Sequence, residues 1–152
     1  MCKKEEITTR KAKISDMAIV HELVKELAVY EKAGSEVSTK VSDYEKGLQG
    51  GLFEVIVAEW DHVIIGMVFY YMTYSTWKGK MLYLEDFVVK DAYRRFGAGQ
   101  ILFDALLAEA RRKEAVLVKW QVLDWNEPAI SFYEKNKATI EKDWWTCKVF
   151  LE

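Results

Sequence analysis

Two short stretches carry residues whose types and spacing could do chemistry. They are R-R-F-G-A-G-Q, Arg94 to Gln100, and L-Y-L-E-D-F-V-V, in which Glu85 and Asp86 stand side by side in an apolar run. A strand that passes through a glycine turn into a helix aims free amides and the positive end of the helix dipole at one spot, which favours an anion. Gly97 and Gly99 let the backbone approach phosphate oxygens with no Cβ in the way, and Arg94 and Arg95 add cations at the same mouth. A pyrophosphate suits such a turn, although R-x-x-G-x-G taken alone fits an ordinary surface turn as well. The spacing is neither that of a P-loop nor that of the dinucleotide fingerprint, so nucleoside triphosphate and nicotinamide readings fall away.

The carboxylates point to a cation. Adjacent acids in an apolar strand are costly to bury unless paired or hydrated. Strand alternation puts Tyr83, Glu85 and Phe87 on one face and Leu84, Asp86 and Val88 on the other. A long, flexible di-cation is recognised by spaced carboxylates and by aromatic faces. Tyr30, Glu31, Trp77, Glu85 and Asp86 are the residues of this chain that fit. Glu85 is the candidate to hold a substrate ammonium and help remove its proton; an ion pair with Lys80 or Lys119 is the structural alternative. Tyr133, whose phenol of pKa about 10 stays protonated at neutral pH, is a candidate proton donor or simply a core aromatic.

Composition limits the partners. The 152 residues carry 22 basic and 24 acidic side chains, a net charge of -2, with 51% hydrophobic residues. That is one domain's length with enough apolar material for a core, and no global field to draw nucleic acid or an anionic membrane. Cys2, Cys147, His21 and His62 are too few and too scattered for a disulfide framework or a metal site, which favours a reducing cytosol and a cytoplasmic protein without metal. The charged N-terminus and the lack of a long apolar run indicate no signal peptide and no membrane span.

The elements that must position these residues follow from periodicity. Ile7 to Ala12 reads as a strand, and Ser15 or Asp16 caps a helix that ends near Tyr30. Ser38 or Thr39 caps a second helix, which "QGG" closes. Three strands joined by short turns, from Phe53 to Val89, predict an antiparallel meander. A helix follows the glycine turn, then the strand "VLVKWQVL". Asn126 with Pro128 opens a further helix, and "TIEKDWWTCKVFLE" reads as one or two closing strands. The order β-α-α-β-β-β-α-β-α-β-β is α/β, a mixed sheet with helices on its faces, in a single domain spanning 1–152.

R-R-F-G-A-G between strand and helix resembles the acetyl-CoA-binding motif Q/R-x-x-G-x-G/A of the GNAT superfamily of N-acetyltransferases. The element order is similar over essentially the whole chain. "YYMTYSTWKGKMLYLEDFVV", "YRRFGAGQIL" and "WNEPAISFY" resemble the diamine (spermidine/spermine) N-acetyltransferase branch. The resemblance implies acetyl transfer from acetyl-CoA to a primary amine of a small diamine or polyamine by direct attack in a ternary complex. It implies that the backbone of Phe87, Val88 and Val89 pairs with the pantetheine arm, and that Arg95, Phe96, Gly97, Ala98, Gly99 and Gln100 wrap the pyrophosphate, with Arg94 beside them. Asn126, Glu127, Pro128 and Ala129 then line the cofactor, Tyr133 stands near the sulfur, and Tyr30, Glu31, Trp77, Glu85 and Asp86 serve the amine. A homodimer is expected, since the family commonly forms one. "EKNKA" departs from the pattern, with Lys137 where relatives usually place a glycine. Alternatives stay open: acetylation of thialysine or a lysine-like amino acid, acetylation of a protein lysine, or CoA binding without turnover.

Overall fold

The computed structural model describes residues 1–151. Backbone contacts divide it into two units, Met1–Gln121 and Val122–Glu152. The first holds a five-stranded sheet in the order β1-β2-β3-β4-β5. Its strands are β1 (Thr8–Lys11), β2 (Glu54–Trp60), β3 (Val63–Ser75), β4 (Gly79–Val89) and β5 (Leu117–Lys119), and its helices α1 (Met17–Tyr30), α2 (Val41–Gln49) and α3 (Ala98–Arg112). The expected meander forms: β2, β3 and β4 pair antiparallel, as do β1 and β2, while β5 joins β4 in parallel. That single parallel pairing, reached through α3, makes the sheet mixed.

Each face of the sheet buries its own helices. On one side, Met17, Val20 and Leu23 of α1 and Tyr44 of α2 pack on Val55, Val57, Ile64, Met67 and Val88. On the other, Ala98, Leu102, Leu106 and Ala110 of α3 pack on Ile56, Ala58, Ile65, Val68, Tyr70, Leu82 and Leu84. These lie at three- and four-residue spacing on each helix and at alternate positions on the strands, save on β3, where a register shift opposite Ala58 and Glu59 sets Ile64 with Met67 and Ile65 with Val68.

The helix starts differ in detail from the sequence reading. Asp16 gives α1 no side-chain cap. Its Oδ2 instead accepts from Lys13 N at 2.7 Å and pairs with Arg10 Nη1 at 2.7 Å. At α2 the N-cap is Lys40, whose N–H is taken by Asp43 Oδ2 at 2.8 Å, so neither Ser38 nor Thr39 is the cap. At both helices a carboxylate thus accepts from an amide ahead of the helix, and no side-chain cap takes the first-turn amides.

Three of the helix ends share one device. At α1, Ala33 N bonds Ala28 O and Lys32 N bonds Val29 O, with Lys32 at φ 60°. At α3 the pairs are Ala115 to Ala110 and Glu114 to Arg111, with Glu114 at φ 61°. At α2 Leu52 bonds Gly47 and Gly51 bonds Leu48, and the left-handed residue there is Gly51 at φ 73°. This is the Schellman closure, which usually takes glycine because the left-handed conformation crowds a Cβ.

The second unit contains α4 (Glu127–Lys135). Asn126 caps it as expected: Oδ1 accepts from Ala129 N at 3.4 Å, with Pro128 in the first turn. Its far end repeats the Schellman pattern, Ala138 to Tyr133 and Lys137 to Glu134, with Lys137 at φ 65°. Lysine therefore adopts the left-handed conformation that the missing glycine would have supplied. The closing strands do not form: residues 139–151 belong to no ladder. Trp145 is 90% and Phe150 84% exposed. Aromatic and β-branched content favours strands only where a partner edge is paired, and propensity cannot supply the partner.

Candidate active site

β4 is the element that organises the site, and one irregularity in it decides which side chains meet. Phe69 pairs with Asp86, and the next residue of β3, Tyr70, pairs with Leu84, so Glu85 is an extra residue without a cross-strand partner on β3. Such a bulge shifts the alternation by one. Leu82 and Leu84 face α3, but beyond the bulge it is Phe87 and Val89 that lie against that core, while Val88 joins the α1 and α2 side. The expectation that Leu84, Asp86 and Val88 share a face is corrected accordingly. In an unbulged strand Asp86 would point with Leu84 into the α3 core.

Glu85 is exposed, and its Oε2 accepts from Tyr71 Oη at 3.0 Å. Tyr71 stacks on Tyr83, with centroids 5.4 Å apart. Burial, then the Glu85 carboxylate, raises the phenols of both tyrosines above their ordinary value. Asp86 is partly buried. Burial first, then the charges of Glu85 and Glu31, pushes its carboxyl up to about 7. Glu31 ends α1, and burial raises it as well. The fold therefore brings Glu31, Glu85 and Asp86 together, and none of the three forms an ion pair among the described residues. The Lys80 alternative is not realised: Lys80 Nζ donates to Lys113 O at 3.2 Å. Lys119 lies one strand away from Tyr83, its partner in the β4–β5 ladder.

One sequence candidate, Trp77, stands elsewhere, and another, Tyr30, adjoins Glu31. Trp77, 82% exposed, sits in the turn between β3 and β4. From Gly79 at the start of β4 to Glu85 the strand spans about 20 Å, so Trp77 of this chain is not beside the acids. Tyr30, at the end of α1, carries the guanidinium of Arg94 over its ring at 5.4 Å. Arg94 also donates from Nε to Val89 O at 3.3 Å and lies 3.4 Å from the Asp91 carboxylate. An expected phosphate ligand and an expected amine ligand thus hold each other.

The turn that follows β4 has the backbone of an anion seat. Arg95 is left-handed at φ 72° and Gly97, the N-cap of α3, at φ 88°. Gly97 offers no side chain to cap the helix, whose first amides have no acceptor within it. Phe96, Ala98, Gly99 and Gln100 complete the turn and the first turn of α3, and Gln100 Nε2 reaches Asp104 Oδ1 at 2.9 Å. The β4–β5 ladder covers Met81 to Tyr83 alone, so the last six residues of β4, which include Phe87, Val88 and Val89, run on beyond it. In the second unit, Asn126 and Tyr133 are buried, and Glu127, Pro128 and Ala129 form the first turn of α4.

Comparison with known proteins gives the family of the chain. The description "Acetyltransferase (GNAT) family" matches residues 20–137, and the chain belongs to that family. It is an N-acetyltransferase by family, with relatives so named. The thialysine N-epsilon-acetyltransferase of Bos taurus is 32% identical over 155 residues, which is 93% of this chain and 90% of that one. The spermidine/spermine N(1)-acetyltransferase-like protein 1 of Homo sapiens is 30% identical over 138 residues, 85% of this chain and 20% of that protein. Among solved structures, an aminoglycoside acetyltransferase from an uncultured soil metagenomic sample superposes with a TM-score of 0.81 at 19% identity, covering 97% and 98% of the two chains. At that identity the likeness is one of fold. No described helix is long and apolar enough to cross a membrane.

Proposed function

We propose that the protein transfers an acetyl group from acetyl-CoA to a primary amine of a small diamine or polyamine, by direct attack of the amine. The observation that carries this reading is the acid cluster beside the glycine turn: three carboxylates without a cation at one end of β4 and a left-handed, arginine-bearing helix start immediately after it. The first attracts a polycation and the second an anion.

The chain's residues fit the cofactor. Arg95, Gly97 and the start of α3 would hold its phosphates, and the end of β4 would lie along its arm. When bound, it supplies an acetyl thioester. Asp86 is the residue to accept the amine's proton. An ammonium of pKa near 10 gives its proton to an ordinary carboxylate at a cost of about 8 kcal/mol, and to one held at about 7 at a cost of about 4 kcal/mol. Glu85, positioned by Tyr71, and Glu31 hold the cation. The sequence favoured Glu85 as the base; the bulge and the burial of Asp86 favour dividing the roles. Tyr133, assigned by sequence pattern, supplies the proton to the leaving thiolate.

The names of the thialysine relatives support a second reading, in which the amine is the side chain of a lysine-like amino acid. Its α-carboxylate needs a cation, and Lys119, beside Tyr83, is the candidate. Thiol release from acetyl-CoA should be measured with putrescine, spermidine, spermine, thialysine and lysine in turn. Preference for a polyamine is the expected result. Preference for thialysine, with a KM that rises in Lys119→Ala, would replace it. No release with any amine, in protein that binds CoA, would leave a protein substrate or a non-catalytic role.

A further inference from the structure

The N-terminal segment lies against the glycine turn and brings a cation to it. Lys4–Glu6 forms one turn of 3-10 helix. Its flanks are fixed, because Cys2 and Ile7 are each 7% exposed within the core under α3. Glu6 Oε2 accepts from Trp60 Nε1 at 2.8 Å, and Trp60 packs on Tyr93, just ahead of the turn, with centroids 6.1 Å apart. This anchoring lays the stem of Lys4 across Gly97. Its Cδ, Cγ and Cε lie 3.0, 3.2 and 3.4 Å from where a Cβ on Gly97 would stand. The ammonium is one bond further. Lys11, Lys25 and Lys113 form ion pairs, whereas Lys4 has no ion-pair partner among the described residues.

Charge at the turn leaves a place for it. A pyrophosphate carries about two negative charges, while a helix start contributes roughly half a positive charge. Arg94 is engaged by Tyr30, Val89 and Asp91, which leaves Arg95 as the one cation the turn itself supplies. We propose that Lys4 is a phosphate-binding residue of the acetyl-CoA site, contributed by the N-terminal turn. The inference rests on the acetyl-CoA reading above. Gly97 then has two reasons to lack a side chain: its left-handed backbone, and the lysine stem seated on it.

The test is calorimetric titration of CoA into the full chain and into Lys4→Gln, with Lys4→Arg as the charge-preserving control. Lys4 is exposed, so the Gln variant should melt like the parent. Loss of a charge-assisted contact should raise Kd about five-fold at low salt, with the difference shrinking as salt rises and the Arg variant staying within about two-fold of the parent. Dephospho-CoA, which lacks the 3′-phosphate, locates the contact: the same difference assigns Lys4 to the pyrophosphate, and its disappearance assigns it to the 3′-phosphate. Equal or tighter CoA binding by Lys4→Gln overturns the inference and leaves the acetyl-CoA reading intact. A parent chain that binds no CoA overturns both.

Discussion

At Glu109 and at Asp86 the fold surrounds a carboxylate with very different company. Glu109, on α3 and 6% exposed, receives Arg112 Nε at 2.6 Å, Lys11 Nζ at 2.6 Å and Tyr70 Oη at 2.8 Å. Nearby Glu54 takes Lys11 and Lys113, each at 2.6 Å. Burial would raise the Glu109 carboxyl, but Arg112, Lys11 and Tyr70 overcome it and hold the group at about 2. Asp86 meets burial with two further acids in place of cations, and rises to about 7. Burial acts in the same direction at both, so the neighbours decide the outcome. One site is satisfied and structural; the other has no cation among the described residues and holds its proton more readily, which is what the proposed amine site requires.

The largest effect should come from breaking the satisfied site. Glu109→Ala leaves Lys11, Arg112 and Tyr70 around a gap and should cost about 3 kcal/mol of stability in denaturant unfolding. A loss under about 1 kcal/mol would mean that solvent already screens the network. The pH sign follows from the depressed carboxyl: its contribution is complete above the unfolded value near 4.5 and is lost as pH falls from there toward 2.

Asp86→Asn tests the unsatisfied site twice. Turnover should fall about 100-fold, and the parent's kcat/KM should rise with pH through about 7, a limb that the variant lacks. Because the folded carboxyl is raised, the fold favours the protonated form, and stability declines as pH climbs from about 4 to about 7. The variant should therefore be more stable than the parent at pH 8, on the order of 1 kcal/mol after allowance for solvent, with no such gain below pH 4. Equal stability at both pH values would show that Asp86 is not strained by its neighbours. The smallest change is expected of Tyr71→Phe, which frees Glu85 without removing it: KM for the amine should rise about three-fold with kcat little altered.

Much of this was legible before the fold was known. The glycine turn, the meander and the Asn126 and Pro128 helix start rest on local chemistry, which sequence states directly. What was not legible depended on pairing. The bulge at Glu85 exists only in the register of β4 against β3, so alternation alone set Asp86 beside Leu84. The company of Glu109 is drawn from β1, β3 and α3, far apart in the chain. Nothing in the sequence shows that Tyr30, at the end of α1, lies beneath Arg94. The tail read as strand from its residue types, and no sequence feature names the edge such a strand would need.

The extra residue in β4 also bears on how such a site can arise. If Glu85 is taken out, regular alternation still leaves Leu84 toward α3, Asp86 away from it, and Phe87 and Val88 on their present sides. A one-residue insertion at this point is therefore silent for the core on both faces. It adds a carboxylate and a bend to a strand whose packing it does not disturb. A plain sheet can acquire a further acid of the proposed cation site, or lose it, in a single length change without compensating substitutions.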